Sequence, residues 1–90
     1  LEDDTIVLLT SDNGPLLNGE LLRYNGPFRG KKTEVLEGGI RVPAILKAPG
    51  LVPPNSEVSE MVDSVDWLPT LSELSGLGGV VSELPLDGIS

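Results

Sequence analysis

The sequence predicts an α/β protein, in which this chain is a slice of a larger mixed or parallel sheet flanked by helices. Three observations support this class. Residues 5–10 form an apolar, β-branched run, residues 41–50 form a second run bounded by prolines, and residues 66–74 carry a helical pattern. A long glycine-rich loop separates the two runs. We expect residues 1–90 to form a single part of a longer domain, because a small chain could hardly hold such a loop in place.

The first predicted strand covers residues 5–10 and is apolar at nearly every position. Such a run is typical of a strand buried on both faces, in the middle of a parallel sheet. It ends in Asp12 and Asn13, followed by Gly14 and Pro15, where regular structure breaks. Asp12 and Asn13 should therefore lie at the carboxyl end of a central strand, where open α/β sheets place their ligand sites.

Composition excludes several classes of function. The net charge is -8, with no basic stripe, so nucleic acid is not expected as a partner. The longest apolar run covers only residues 6–9, which predicts no membrane span. The chain contains neither cysteine nor histidine, which removes thiol chemistry and the commonest general base and zinc ligand. Any chemistry must come from the acids, amides, hydroxyls and cations.

The loop between the strands contains six glycines within residues 11–39, together with Pro15 and Pro27. This composition predicts neither a helix nor a strand, apart from one turn within residues 16–24. Long ordered loops are usually functional. Residues 28–33 carry the cations Arg29, Lys31 and Lys32, which makes this basic loop the one obvious anion-binding candidate in an acidic chain.

The second strand is predicted over residues 41–50, with Pro43 near its start and Pro49 and Gly50 at its end. Two further extended pieces are expected, at residues 61–65 and at residues 80–81. Because parallel strands need a covering crossover and the connection here is mostly loop, we expect the rest of the sheet to come from sequence outside this chain.

A short helix is predicted to follow Asp66, which suits the N-cap, with Pro69 in the first turn. Leucines recur at a spacing of three, which would place them along its buried side, namely at Leu68, Leu71 and Leu74. Gly76 occupies the position of a C-terminal glycine cap.

Asp12 and Asn13 suggest a metal site. Adjacent carboxylate and carboxamide oxygens are hard ligands that suit calcium or magnesium. A lysine of the basic loop would hold an anionic oxygen beside such a metal and stabilise the charge that develops there. The same Asp-Asn-Gly sequence is also ordinary turn chemistry, and both interpretations stay open at this point.

Five blocks of the chain, in order, resemble the sulfatases, which are members of the alkaline-phosphatase-like superfamily. The resemblance covers residues 5–88, nearly the whole chain, and its specificity comes from the order and spacing of the blocks. These are residues 10–15 (TSDNGP), 28–32 (FRGKK), 37–44 (EGGIRVPA), 66–71 (DWLPTL) and 86–88 (LDG).

The resemblance implies roles for individual residues. Asp12 and Asn13 match an acid and an amide that help to ligate the divalent cation of sulfatases, usually calcium. Lys32 matches the lysine of an R-G-x-K pattern that contacts a sulfate oxygen of the substrate. Its neighbour Lys31 fills the variable position and is expected to be solvated.

Three further charged residues match positions that we interpret as structural. Arg29, Glu37 and Arg41 would form an ion-pair network that ties the loop down. A general-acid role for Glu37 is the weaker alternative, because acids in glycine-rich loops usually cap or pair.

The departures from the family pattern concern the nucleophile. Sulfatases use a formylglycine made from Cys or Ser in a C/S-x-P-x-R motif, and this chain contains no such motif. The family's active-site histidines and early aspartates are also unmatched. We expect them on other sequence, in the remainder of the catalytic domain, so that the 90-residue chain alone would be inactive.

The alternatives are a phosphoester or phosphonate hydrolase of the same superfamily and a non-catalytic metal-binding fragment. The R-G-x-K and EGGIRVP blocks favour a sulfatase acting on a sulfate ester. The compartment stays open, because sulfatases occur in the periplasm, in lysosomes and outside cells.

Overall fold

A computed structural model describes residues 2–16, 25–81 and 83–90 of the chain. These residues contain both strands and helices, so the α/β class is confirmed for this part of the chain. They divide into two compact units, one formed by residues 7–46 and one by residues 1–6 with 47–90. The elements in chain order are β1 (Val7–Thr10), α1 (Glu37–Ile40), β2 (Ala44–Lys47), a 3-10 turn (Ser64–Asp66), α2 (Trp67–Leu74) and α3 (Gly78–Val81).

β1 and β2 are neighbours in a two-stranded antiparallel sheet. Beyond the strands, the N–H of Gly14, four residues after β1, donates to the carbonyl of Gly39 in α1 at 2.7 Å. The prediction of parallel pairing is therefore wrong for these two strands, although they can still belong to a mixed sheet. Parallel strands require a covering crossover, whereas the described part of the connection, residues 11–16 and 25–43, contains only the single helical turn of α1.

Both strands are shorter than predicted, and β1 is not buried on both faces. Val7 is 50% and Leu9 is 62% exposed, and Ile45 on β2 is 61% exposed. Among the described residues, β2 is the only strand that pairs with β1. The exposure of these apolar side chains shows that the described part of the chain does not cover them with a second layer. Pro43 and Pro49 flank β2 as expected, and they limit it to four residues.

The connection between the strands is irregular where it is described, except for one helical turn. Residues 25–36 contain neither helix nor strand, and α1 follows them at Glu37–Ile40. The expectation of no helix in this stretch is wrong at α1, where the buried Gly38 and Gly39 allow neighbouring backbone to approach closely. Most of the turn predicted within residues 16–24 lies outside the described residues.

The N-terminus of α2 is capped one turn earlier than predicted. Asp66 makes no side-chain cap, because a 3-10 turn at Ser64–Asp66 precedes the helix. Asp63 is the cap: its Oδ1 accepts from the N–H of Val65 at 3.4 Å, and Asp66 Oδ2 accepts from the N–H of Asp63 at 2.9 Å. This reciprocal pair is a capping box, readable in the sequence as Asp63-x-x-Asp66.

α2 ends at Leu74 and is followed by a glycine cap at Gly76, as predicted. Gly76 has φ +78°, the N–H of Leu77 bonds to the carbonyl of Ser72 at 2.8 Å, and the N–H of Gly76 bonds to that of Glu73 at 3.0 Å. These two bonds define a Schellman motif. Of the three predicted core leucines, two are half-buried, and Leu68 is 54% exposed.

The extended piece predicted at residues 80–81 is wrong, because these residues form the end of α3 (Gly78–Val81), which packs against α2. The N–H groups of Val80 and Val81 both bond to the carbonyl of Leu77, so the chain turns directly after the glycine cap. No helix within the described ranges is long and apolar enough to cross a membrane.

Asp66 makes the second unit sensitive to acid. The N–H of Ile89, at 3.0 Å, and that of Asp63 lower the pKa of the Asp66 carboxyl below its usual range. The contribution of the ionised group to stability is full above the unfolded pKa of about 3.9 and is lost as the pH falls through the lower folded pKa. Comparing thermal unfolding of the wild type and Asp66→Asn should show a difference above pH 4 that shrinks at lower pH.

Asp87→Asn is the matched control, because the Asp87 carboxylate accepts no hydrogen bond within the described part of the chain. A difference between the wild type and Asp66→Asn that persists or grows in acid would show that the Ile89 contact does not depend on ionisation of Asp66.

Candidate functional site

The turn after β1 presents two uncommitted oxygen ligands. Ser11 Oγ donates to the carbonyl of Asn13 at 2.9 Å, and Asn13 Nδ2 donates to the carbonyl of Gly14 at 3.0 Å. The amide nitrogen is used inside the turn, whereas the Asn13 side-chain oxygen accepts no hydrogen bond from the described residues. The exposed Asp12 carboxylate makes no hydrogen bond or ion pair with the described residues.

Gly14 docks this turn against α1 at close range. Gly14 is buried, and its N–H bonds to the carbonyl of Gly39 at 2.7 Å. A Cβ built at Gly14 would overlap the backbone oxygen of Gly38. Only glycine permits this approach, so the position of Asp12 and Asn13 depends on the adjacent Gly14 and on two glycines distant in sequence, Gly38 and Gly39.

Gly14→Ala is therefore expected to destabilise the protein by about 1–3 kcal/mol, because a rigid backbone group must move to admit the methyl group. Chemical denaturation measures the change. Gly79→Ala is the matched control, since a Cβ there meets nothing within 4 Å. In α3, alanine should be neutral or stabilising by up to about 1 kcal/mol. Equal losses in the two variants would contradict the close packing at Gly14.

The basic loop is fastened to the same turn by its backbone. The N–H of Lys32 donates to the carbonyl of Pro15 at 3.0 Å. The N–H of Glu34 donates to the carbonyl of Lys31 at 3.0 Å, which closes a tight turn, and Thr33 within that turn has φ +78°. Lys32 is exposed, whereas Lys31 is half-buried.

An open groove of about 910 Å³ brings these groups together in the unit formed by residues 7–46. Its polar and aromatic lining includes the predicted residues Asp12, Asn13 and Lys32, together with Arg41 and Phe28. The groove therefore combines two hard oxygen ligands with two cations. This arrangement suits a metal ion beside an anionic group, although the roles of the individual residues stay predictions.

Arg41 forms part of the predicted ion-pair network. Its Nη1 lies 3.1 Å from Glu37 Oε2 across one turn of helix, and its guanidinium carbon lies 4.7 Å from the centroid of the Phe28 ring. Both charged side chains are more than half exposed, so the pair contributes little to stability. Arg29, the third predicted member, makes no ion pair in the described part of the chain.

Asn25 is the residue that sequence reasoning missed. Its Nδ2 lies within hydrogen-bond distance of the carbonyls of Gly30 at 2.7 Å, Gly38 at 3.1 Å and Phe28 at 3.3 Å, so that two of these carbonyls share one of its two hydrogens. The signal for a local turn was present, because Asn25-Gly26 is a strong turn pair and the N–H of Phe28 bonds back to the carbonyl of Asn25 at 3.2 Å. The contact with Gly38, thirteen residues away, has no sequence signature.

Asp12 and Asn13 fit a calcium site only in part. Calcium binds six to eight oxygens, and this turn offers two side chains. Within the described ranges, no group of three or more His, Cys, Asp or Glu side chains could hold a metal ion. The donor chemistry is suitable, but the remaining ligands have to come from other sequence.

Comparison with known proteins identifies the class to which this arrangement belongs. The sequence model of the sulfatase family matches residues 1–77, which is most of the chain. The chain belongs to the sulfatase family, and the resemblance carried by the five sequence blocks is confirmed.

Individual relatives agree with this assignment. The chain is 40% identical to rat steryl-sulfatase over 99% of its own length and 16% of the relative's. It is 39% identical to a sulfatase of Formosa agariphila over 84% of its own length and 13% of the relative's. It is 37% identical to human arylsulfatase A over 98% of its own length and 17% of the relative's. The chain therefore spans about a sixth of the length of these relatives. No solved structure matches it significantly.

Proposed function

We propose that this chain is the segment of a sulfatase catalytic domain that supplies two metal ligands and the sulfate-binding lysine. The observation that carries the proposal is the hydrogen bond from the Lys32 N–H to the Pro15 carbonyl, at 3.0 Å. It joins the basic loop to the turn that bears Asp12 and Asn13, so all three side chains line one groove. The family membership supports a sulfate ester as the substrate class.

Lys32 acts on the anionic end of the substrate. Its side chain is exposed, so the ammonium is free to move onto a sulfate oxygen. As the ester bond breaks, negative charge grows on the sulfate and leaving-group oxygens, and a positioned cation stabilises that charge. Arg41 adds positive potential to the same groove while remaining tied to Glu37.

Asp12 and Asn13 would hold the cation, which we propose to be calcium. The negative Asp12 carboxylate supplies charge, and the neutral Asn13 amide oxygen supplies a second hard ligand. A bound divalent cation would act as a Lewis acid toward the sulfate group, and a formylglycine hydrate would supply the nucleophile. This chain's own contribution is to place the cation, the lysine and the sulfate against one another.

The remainder of the catalytic domain is the proposed partner of this segment. It would supply the formylglycine, whose C/S-x-P-x-R motif the 90 residues do not contain, together with the other metal ligands and the acid that protonates the leaving group. The segment alone should therefore hydrolyse no sulfate ester.

Peptide mass mapping of the protein, expressed from its full coding sequence in its native host, tests the proposal. We expect a C/S-x-P-x-R peptide in which the Cys or Ser has been converted to formylglycine. A complete map without such a motif would contradict the sulfatase function and would favour a non-catalytic metal-binding role.

A further inference from the structure

Asn25 lies where the irregular part of the groove wall is held together. Residues 25–36 contain no helix or strand, so their carbonyls lack the partners that regular structure would supply. The half-buried amide of Asn25 contacts two of these carbonyls, at Phe28 and Gly30, and also the carbonyl of Gly38 in α1. Among the described residues, Asn25 therefore supplies the side-chain contacts that supplement the backbone hydrogen bonds of the basic loop.

The loop also contains backbone that would not keep its conformation unaided. Gly26, Gly30 and Thr33 have φ values of +58°, +101° and +78°, all in the left-handed region. For Thr33, a β-branched residue, that conformation is unfavourable and persists only where the surroundings determine it. The hydrogen bonds of Asn25 lie directly before this segment and constrain it at Gly30.

The same amide connects the basic loop to the turn after β1 that carries Asp12 and Asn13. Asn25 Nδ2 bonds to the carbonyl of Gly38, and a Cβ built at Gly14 would overlap that same carbonyl oxygen. The peptide group of Gly38 is thus packed between Asn25 and the turn that carries Asp12 and Asn13. A Cβ at Gly38 would in turn overlap Asn25 Nδ2. Asn25 therefore contacts the basic loop directly, at Gly30, and the turn with Asp12 and Asn13 indirectly, through Gly38.

We infer that Asn25 is a positioning residue, which holds the Lys32 ammonium at its distance from the Asp12 and Asn13 oxygens. Asn25 also lines the groove, but its amide nitrogen is directed to the carbonyls of residues 28, 30 and 38, and it would act through them. The inference rests on the proposed role of Lys32 in binding sulfate.

A double-mutant cycle tests this role in the protein expressed from its full coding sequence with calcium present. The probes are turnover of 4-nitrophenyl sulfate and competitive inhibition by inorganic sulfate. Asn25→Ala should raise KM and the inhibition constant of sulfate roughly tenfold or more, since a displacement of about 1 Å can cost up to about 100-fold. In a Lys32→Ala background, the same substitution should change sulfate inhibition less than about twofold, because the affected group is already absent.

Ser56→Ala is the matched control. Ser56 Oγ donates to the carbonyl of Pro53 at 2.7 Å, in the other unit, so this variant also loses a side-chain bond to a carbonyl. It should leave sulfate inhibition unchanged in both backgrounds. Thermal unfolding of every variant shows whether a change in KM or in sulfate inhibition arises from loss of the fold or from displacement of Lys32 in a folded protein.

Asn25→Ser, whose hydroxyl keeps one donor, replaces Asn25→Ala in the cycle if the alanine variant does not fold. Failure of both to fold would overturn the inference, because Asn25 would then stabilise the whole domain. If the Asn25 and Lys32 substitutions have additive effects on sulfate inhibition, the inference about Asn25 is overturned, but the proposed role of Lys32 is not. No effect of Lys32→Ala on sulfate inhibition would overturn the proposed role of Lys32 as well.

Discussion

Lys32→Ala should lower kcat/KM for a sulfate ester about 100- to 1,000-fold, the usual loss when one preorganised group that stabilises developing negative charge is removed. The expectation follows from the position of Lys32 in the groove with Asp12 and Asn13 and from its exposed side chain. Steady-state turnover of 4-nitrophenyl sulfate by the protein expressed from its full coding sequence measures the change.

Lys31→Ala is the matched control, because it removes the same charge one residue earlier. Lys31 does not line the groove, so its replacement should change kcat/KM less than about threefold. Similar losses in the two variants would mean that the loop attracts anions only through its general positive potential. The assignment of Lys32 to the sulfate would then be wrong.

Asp12→Ala should weaken calcium binding by at least about 100-fold, because even residues that only orient metal ligands cost 10- to 100-fold when they are changed. The carboxylate has no partner in the described part of the chain that would compete with a cation. Asn13→Ala should cost less, since a neutral amide contributes no charge to the site. Calcium titration followed by calorimetry gives both affinities.

Asp4→Ala controls for the general effect of removing one negative charge from an acidic protein. Asp4 is exposed and lies before β1, so its loss should leave calcium affinity unchanged. If Asp12→Ala and Asp4→Ala had equal effects, calcium would be attracted by the net charge of -8 and not by the turn.

Local features of the chain could be predicted from sequence because their causes are local. The strand over residues 7–10 follows from a β-branched apolar run, and the polar turn after it follows from Gly14 and Pro15. The glycine cap at Gly76 was equally readable, since only glycine easily adopts φ +78°. The spacing of charged residues and the resemblance together indicated Asp12, Asn13 and Lys32.

The features that were missed depend on partners distant in sequence. Strand direction is decided by how the connection folds back, and no pattern within β1 or β2 encodes it. Asn25 looks like any turn residue until Gly38 is placed beside it. The capping box at Asp63 is different, because both of its acids are visible in the sequence, although the N-cap is predicted at Asp66.

Paired hydrolysis assays test the central claim most directly. The protein expressed from its full coding sequence is assayed with 4-nitrophenyl sulfate and with 4-nitrophenyl phosphate, with calcium and after chelation. We expect the sulfate ester to be hydrolysed in preference to the phosphate ester, and chelation to abolish turnover. Preference for phosphate would point to a phosphoester hydrolase of the same superfamily. A folded protein that hydrolyses neither ester would contradict the assignment of this groove to sulfate-ester hydrolysis.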